Sequence, residues 1–313
     1  MGRYPWRMIG AIGLGLGIVV STGQSWAGQS QLASITVAQA DTVAQADSET
    51  KTEAEAVLER GLTLIQSGQV AAAIAAFQEA AYLDNDLAPA HYNLGLALRQ
   101  QGQLQDAASA FWRAIQADPN LAIAYSNLGA SLWEGGNREQ AVNYLERAIE
   151  IQPDLGNAHY NLALVQIELE EYDAAVSSLQ AATRLTPRAP EPHFHLGRMY
   201  MQRGDLEDAI SAFEQAVSLF PQYVEAHYNL GVALYGQSQY EAALEAFREA
   251  TDINPNYTNA YYSAGLAFIQ LRDYEEAEGV LNHAKTLYIS QNNPQWAANT
   301  QAQLDRIATL TAQ

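Results

Sequence analysis

Apolar and polar positions repeat every 34 residues along most of this chain. Residues 88–121 read APAHYNLGLALRQQGQLQDAASAFWRAIQADPNL, and the same order of residue types begins again at Ala122. A fixed period of this length is typical of repeat proteins, in which each unit packs on its neighbours. Seven units follow one another without insertion, at 54–87, 88–121, 122–155, 156–189, 190–223, 224–257 and 258–291.

The spacing inside each unit predicts two helices. Counting each unit from 1 to 34, positions 20 and 27 are always alanine and position 24 is always Phe or Leu, as in Ala107, Phe111 and Ala114. Such residues share one face of a helix. Positions 4, 7, 8 and 11 share a face of an earlier helix, and position 8 is Gly or Ala, so the two helices should approach closely there.

Turn residues separate the predicted helices. Glycine after the first helix suits a left-handed helix end, and proline after the second helix stops it. The glycines are Gly68, Gly102, Gly136 and Gly204, and the prolines are Pro119, Pro153, Pro187, Pro221 and Pro255. The end units lack the proline and carry Asn85 and Ile289 instead. We predict that the first helix begins at a capping box, Thr52 to Glu55, and that a last helix after Pro294 caps the stack.

These positions resemble the tetratricopeptide repeat, whose pattern of aromatic, Leu, Gly, aromatic, Ala, Phe, Ala and Pro they match at the same offsets. The resemblance implies an all-α fold, a right-handed α-solenoid of helical hairpins over residues 54–291. It also implies a C-terminal capping helix at 292–313 and a concave groove lined by the first helix of each pair. Such a groove is expected to bind peptide segments or partner proteins.

Positions 2, 5, 6, 9, 12 and 13 lie opposite the packed face of the first helix, so they should face the groove. Asparagine recurs at position 6, and an amide can both donate to and accept from the backbone of an extended peptide. Aromatic rings at positions 5 and 12 offer contact area at low entropic cost. The candidate groove residues are Asn93, Asn127, Asn161, Asn229, Tyr92, Tyr160, Phe194, Tyr228, Trp133 and Tyr235.

Each set has a second interpretation. The asparagines resemble the asparagine row of the O-linked N-acetylglucosamine transferases, which implies sequence-tolerant capture of extended chains, yet they also fit a common repeat pattern that meets only water. The aromatic rings could equally pack between neighbouring first helices. Both interpretations stay open at this point.

The net charge of −19 limits the partners. Binding to nucleic acid or to anionic lipid depends on Lys and Arg, and the chain has only two lysines, Lys51 and Lys285. The predicted groove carries Glu55, Glu59, Glu134, Glu168, Glu191 and Glu225 against Arg99 and Arg198. We therefore expect neutral or basic protein partners and no nucleic acid.

The N-terminus predicts export. Arg3 and Arg7 precede an apolar run from Met8 to Val20, and Ser25 to Ala27 is spaced like a signal-peptidase site. We interpret 1–27 as a signal peptide, with an uncleaved membrane tether through Met8–Val20 as the alternative, and 28–53 as a flexible linker. The expected location is the periplasm or an equivalent lumen beyond a bacterial inner membrane, or anchorage facing it.

No motif for catalysis, cofactor or metal is found in the sequence. Cysteine is absent. His91, His159, His193 and His227 share position 4, where packing between helices is expected. We therefore predict a non-enzymatic interaction scaffold with no metal or cofactor. A membrane-associated assembly factor and an accessory subunit that recruits substrates for a separate enzyme are the alternatives.

Overall fold

The computed structural model describes residues 26–312, and in that part all regular structure is helical. The helices are α1 (Trp26–Gln66), α2 (Val70–Leu83), α3 (Ala88–Gln100), α4 (Leu104–Ala117), α5 (Ala122–Glu134), α6 (Arg138–Ile151), α7 (Gly156–Glu168), α8 (Tyr172–Leu185), α9 (Pro190–Arg203), α10 (Leu206–Leu219), α11 (Val224–Gly236), α12 (Tyr240–Ile253), α13 (Thr258–Leu271), α14 (Tyr274–Ser290) and α15 (Pro294–Thr311). The chain divides into two compact units, Met1–Glu53 and Ala54–Gln313.

In the first unit, the prediction that helical structure begins near Thr52 is wrong, because α1 begins at Trp26. The Thr52 hydroxyl donates to the backbone oxygen of Ser48 at 2.9 Å, a contact inside a helix and not at its start. Residues 29–53 contain no Gly or Pro and many helix-forming Ala and Gln, so nothing interrupts the helix there. The segment predicted as a flexible linker is thus helical.

The predicted signal peptide lies outside the described residues except for its last two positions, and Met8–Val20 lies wholly outside them. Among the helices from residue 26 onward, none is long and apolar enough to cross a membrane.

The second unit is a solenoid of seven helical hairpins. Each helix packs on the next along the chain, from α2 with α3 to α14 with α15, and first helices also contact each other, as α5 does α7. This nearest-neighbour packing is the arrangement that the 34-residue period predicts. Helix α15 covers the open side of the last hairpin, as predicted for a cap.

Position 8 and position 24 meet inside each hairpin. A Cβ added at Gly95 would lie 2.6 Å from the Phe111 ring, and one at Gly129 would lie 2.6 Å from Leu145 and 3.1 Å from the backbone oxygen of Ala141. Phe111 and Leu145 are completely buried. The small residue therefore lets the two helices close on the large one, as the sequence pattern predicts.

The turn inside each hairpin contains one residue in the left-handed region. Gly68, Gly102, Gly136 and Gly204 have φ of 75°, 73°, 85° and 82°. The equivalent residues in the other three units are Glu170, Ser238 and Arg272, with φ of 62°, 62° and 63°. These three hold a conformation that costs a residue with a Cβ about 1–2 kcal/mol.

The two units without the expected proline end differently. In the first, α2 still ends after 14 residues, and Asp84 accepts a hydrogen bond from the backbone N–H of Asp86 at 3.0 Å, as Asp118 does from Asn120 in a unit that has the proline. In the last, α14 has 17 residues where the earlier second helices have 14, because Ile289 does not stop it.

Candidate functional site

The first helices of the second unit form one continuous surface, which we call the inner surface. Contacts join α3 to α5, α5 to α7, α9 to α11 and α11 to α13. The groove positions predicted from the sequence lie on these helices. The contacts and exposure of their side chains on the inner surface show which of them could bind a ligand.

Most of the predicted asparagines hydrogen-bond to the backbone of their own helix. Three of the four predicted asparagines donate from Nδ2 to the backbone oxygen four residues earlier. The pairs are Asn93 with Pro89 at 2.8 Å, Asn127 with Ile123 at 2.9 Å, and Asn229 with Glu225 at 2.7 Å. The side chain of Asn161 makes no hydrogen bond to another described residue. These amides keep their oxygen and one hydrogen for other contacts.

Asn127 is the exception, because its remaining groups are used as well. Its Oδ1 accepts from Arg99 at 3.3 Å, and its Nδ2 lies 3.4 Å from the hydroxyl of Tyr92. Arg99 also pairs with Glu134, with an Nε to Oε2 distance of 3.1 Å. The four side chains connect α3 to α5, so Asn127 stabilises the stack and is not an open site for a peptide.

The aromatic residues at position 5 pack inward on position 24 of the same hairpin. Their ring centroids are 5.8 Å apart for Tyr92 and Phe111, 6.0 Å for Phe194 and Phe213, and 6.0 Å for Tyr228 and Phe247. Phe194 is 8% exposed. It packs as a core residue, since it lacks the hydroxyl that holds the edge of a tyrosine near water, and its role in the groove stays a prediction.

The two aromatic residues at position 12 are half-buried. Trp133 packs against the cluster of Leu145 and Val165. The ring of Tyr235 lies 5.3 Å from Tyr240, and its hydroxyl accepts from Gln270 at 3.2 Å. Both contribute to contacts within the stack of hairpins.

The middle of the inner surface carries a group of phenols and carboxylates that we call the central patch: Tyr160, Glu191, Tyr223, Glu225 and Tyr257. Burial, and then the negative charge of Glu191, raises the pKa of Tyr160 to about 12. Burial, and then Tyr160 and the two carboxylates, raises the pKa of Tyr223 to about 12 against the opposing charge of Arg198. The pKa of Tyr257 is likewise raised to about 12, by burial first and then by Tyr228 and Glu225. All three phenols therefore stay protonated and can donate hydrogen bonds.

His195 replaces the asparagine of position 6 beside the central patch. Its ring lies 5.8 Å from Tyr160 and 5.3 Å from Phe194, and its buried Nδ1 has no partner among the described residues. Burial, and then the charge of Arg198, lowers the pKa of His195 to about 4. The imidazole is thus neutral near pH 7 and does not offset the acidic charge around it.

Ion pairs remove part of the predicted negative charge. Glu134 pairs with Arg99, and Glu168 pairs with Arg138. Glu191 and Glu225 have no ion pair within the part of the chain that is described, and both act on the central tyrosines. Glu55 and Glu59 of α1 likewise have no ion pair among the described residues, so the central patch holds two of the four unpaired groove carboxylates, with the charge of Arg198 nearby.

Sequence reasoning missed Tyr223 and Tyr257. Both occupy position 34, immediately before a first helix, where earlier units have the partly buried leucines Leu87, Leu121 and Leu155. The change from Leu to Tyr in two successive units was the available signal, since a hydroxyl has no purpose in an apolar contact.

The histidines of position 4 join each first helix to the preceding turn. Nε2 contacts the backbone oxygen six residues earlier in three of the four predicted histidines. The pairs are His91 with Asn85 at 2.9 Å, His159 with Pro153 at 3.0 Å, and His227 with Pro221 at 3.0 Å. Within residues 26–312 no group of three or more His, Asp or Glu is arranged to hold a metal ion.

Comparison with known families agrees with this architecture. Family models described as tetratricopeptide or TPR repeat match residues 61–102, 88–121, 126–190, 194–258 and 234–304. The chain therefore belongs to the tetratricopeptide repeat family. Proteins of this family are generally scaffolds for protein–protein interaction, and the fold of this chain is of that class.

Solved structures show the same fold. YrrB, described as a TPR protein with an unusual peptide-binding site, is 27% identical with a TM-score of 0.51, and the match covers 59% of this chain and 95% of YrrB. PilF of Pseudomonas aeruginosa is 18% identical with a TM-score of 0.60, covering 71% and 98%. A tetratricopeptide repeat protein of Parabacteroides merdae is 17% identical with a TM-score of 0.55, covering 80% and 99%. No curated protein matches the sequence closely enough to count as a relative.

Proposed function

We propose that the inner surface of the second unit holds extended, neutral or basic segments of partner proteins, with the central patch as the main contact. The observation that carries this proposal is the pair Glu191 and Glu225, two carboxylates without an ion pair in the described chain, set among phenols that can donate hydrogen bonds. A basic side chain would pair with the carboxylates, and the phenols would donate to peptide carbonyls. The peptide-binding site of YrrB supports a peptide as the kind of ligand.

The mode of binding follows from the spacing of the helices. Four of the seven first helices carry asparagine at position 6, and Asn93, Asn161 and Asn229 keep an amide oxygen for a peptide N–H. Affinity from such backbone contacts is tolerant of sequence, while the central carboxylates add a preference for charge. The net charge of −19 steers basic partners towards the whole surface.

Fluorescence anisotropy with defined peptides tests this proposal. Peptides of equal length would carry Lys, Gln or Glu at matched positions. We expect the Lys series to bind best, with affinity that falls as salt rises. The double variant Glu191→Gln, Glu225→Gln should bind it about 5- to 30-fold more weakly, from about 0.5–1 kcal/mol per exposed charge.

The matched control removes the same charge elsewhere. Glu207 and Glu214 are exposed residues of the second helix α10, so Glu207→Gln, Glu214→Gln changes the net charge equally. Equal weakening by both double variants would show only a long-range effect of charge and would contradict a contact at the central patch.

We also propose that the protein works beyond the inner membrane of a bacterium, as the N-terminal pattern of Arg3, Arg7 and Met8–Val20 indicates. Fractionation of the host, with N-terminal sequencing of the mature chain, tests this. A mature chain that begins after Ala27 would support a cleaved signal, an intact N-terminus in the membrane fraction would support a tether, and an intact chain in the cytosolic fraction would contradict export.

A further inference from the structure

A small cavity lies at the C-terminal end of the inner surface, and it shares no lining residue with the central patch, although its wall Tyr228 contacts Tyr257 of that patch. It has a volume of about 180 Å³. Its walls are four aromatic rings and two small polar side chains: Tyr228, Tyr262, Tyr288, Trp296, Asn259 and Ser263. We call it the aromatic cage. It is smaller than the roughly 300–1,000 Å³ of sites for drug-sized molecules, so it suits a single chemical group.

The rings of the cage are held at fixed angles. Trp296 is stacked on Tyr288, with centroids 5.9 Å apart and planes at 23°, and meets the edge of Tyr262 at 5.4 Å. Tyr288 is 2% exposed, and its hydroxyl donates to Oδ1 of Asn259 at 2.8 Å. Trp296 is 41% exposed, so the cage opens to solvent on that side.

Tyr228 is supported from behind. Its ring packs at 6.0 Å from Phe247 and 5.3 Å from Tyr257. The four walls come from α11, α13, α14 and α15, so packing of the last repeat against the capping helix assembles the cage before any ligand arrives. A preorganised site loses little entropy on binding.

We propose that the aromatic cage binds the methylated ammonium head of an organic cation. Several ring faces around one small space present the negative face of the aromatic quadrupole, which attracts a cation placed over it. The lining contains no Asp or Glu to pair with a primary ammonium and no Lys or Arg to occupy the space. A quaternary ammonium has no N–H to satisfy and is recognised by aromatic rings alone.

The charge state of the lining agrees with this ligand. Burial, and then the neighbouring phenols Tyr228 and Tyr262, raises the pKa of Tyr288 to about 12. Tyr288 therefore stays protonated, and its hydroxyl donates to Asn259. The long-range attraction for a cation comes from the net charge of −19. This site does not depend on peptide binding at the central patch.

Choline and its uncharged isostere 3,3-dimethylbutan-1-ol provide the test, because they share shape and differ in charge. Titration of the full chain would be followed by nuclear magnetic resonance at the indole N–H of Trp296, assigned with Trp296→Phe. We expect a saturable shift with choline and binding of the alcohol about 5- to 30-fold weaker. Equal binding of the two compounds, or no saturable shift with choline, would overturn the proposal.

Two further variants test the cage without altering the capping helix α15. Tyr228→Leu removes one wall, and Tyr235→Leu removes a tyrosine about two turns further along α11 that does not line the cage. Choline binding should fall at least fivefold in Tyr228→Leu and stay unchanged in Tyr235→Leu, with helicity measured for both. Equal loss in the two variants would contradict the cage.

A second arm identifies the source of the cation. A peptide containing trimethyl-lysine is compared with the same peptide containing lysine. Preference for the methylated peptide would show that the cage accepts a modified side chain, whereas binding of choline without such a preference would assign the cage to a free small molecule. The double variant Glu191→Gln, Glu225→Gln should leave choline binding unchanged. A failure of the peptide-binding proposal can therefore be told apart from a failure of the cage proposal.

Discussion

Oδ1 of Asn127 accepts a hydrogen bond from Arg99 at 3.3 Å, whereas Asn161, at the same position one unit later, has no such partner among the described residues. The two asparagines occupy the same position of the repeat but make different contacts. Asn127 belongs to the contact between α3 and α5, whereas the side chain of Asn161 makes no such contact between helices in the described residues.

We expect Asn127→Ala to lower the free energy of unfolding by about 0.5–1.5 kcal/mol, because hydrogen bonds to Arg99 and to its own helix are lost. Asn161→Ala should change stability by less than about 0.5 kcal/mol, as surface substitutions usually do, and should weaken peptide binding instead. Urea denaturation and anisotropy on both variants check this. Equal stability losses would mean that the Arg99 contact contributes nothing.

The contact between positions 8 and 24 predicts the outcome of adding one methyl group. A Cβ at Gly95 would lie 2.6 Å from Phe111, so Gly95→Ala should cost about 1–3 kcal/mol through overpacking. Gly279, within α14, has open space around its added Cβ, so Gly279→Ala should stabilise by up to about 1 kcal/mol. Thermal and urea denaturation measure both, and a neutral Gly95→Ala would contradict the close approach of α3 and α4.

Ser238 holds a φ of 62° in a turn where Gly204 holds 82°. Because glycine adopts this region without the steric cost of a Cβ, Ser238→Gly should raise the free energy of unfolding by about 0.5–1 kcal/mol. The exchange Gly204→Ser should lower it by a similar amount. If both substitutions shifted stability in the same direction, the left-handed geometry would not be the cause.

The pKa of His195 predicts a dependence of stability on pH. Its pKa is lowered to about 4 in the folded protein, from 6.5 for a free histidine, so between these values the unfolded chain binds the proton more readily. Stability is then fully present above pH 6.5 and falls as the pH drops towards 4, by about 1–3 kcal/mol.

His195→Asn, which restores the residue found at this position in four other units, should remove that part of the pH dependence. The measurement is urea denaturation of both proteins at several pH values between 4 and 7.5. Identical slopes in the two proteins would show that His195 is not shielded from solvent in the folded state.

Most of the fold could be predicted from the sequence, because the same spacing recurs in every unit. The positions of Phe111 and Gly95, the left-handed turn at Gly102 and the stop before Pro119 each follow from local chemistry repeated seven times. The start of α1 could not be predicted. The capping box at Thr52 lies within a segment that is already helical, and the residues before it contain no strong stop signal.

The candidate site was less predictable because it depends on contacts between units. A helical wheel places Phe194 and Tyr160 at the same angle, yet packing buries Phe194 among neighbouring rings. Tyr223 and Tyr257 lie outside the helices to which the groove positions were assigned. Only the packing of successive units brings these residues and the uncompensated carboxylates together.

The most direct measurement of the central claim is site-specific photo-crosslinking in the host. Benzoyl-phenylalanine is introduced at Asn161, on the inner surface, and at Gln116, an exposed residue of the second helix α4, and the attached segments are identified by mass spectrometry. The account predicts defined, basic or neutral segments at residue 161 that are reduced by Glu191→Gln, Glu225→Gln. The same adducts at both positions, or adducts at residue 161 that are unaffected by the charge change, would contradict it.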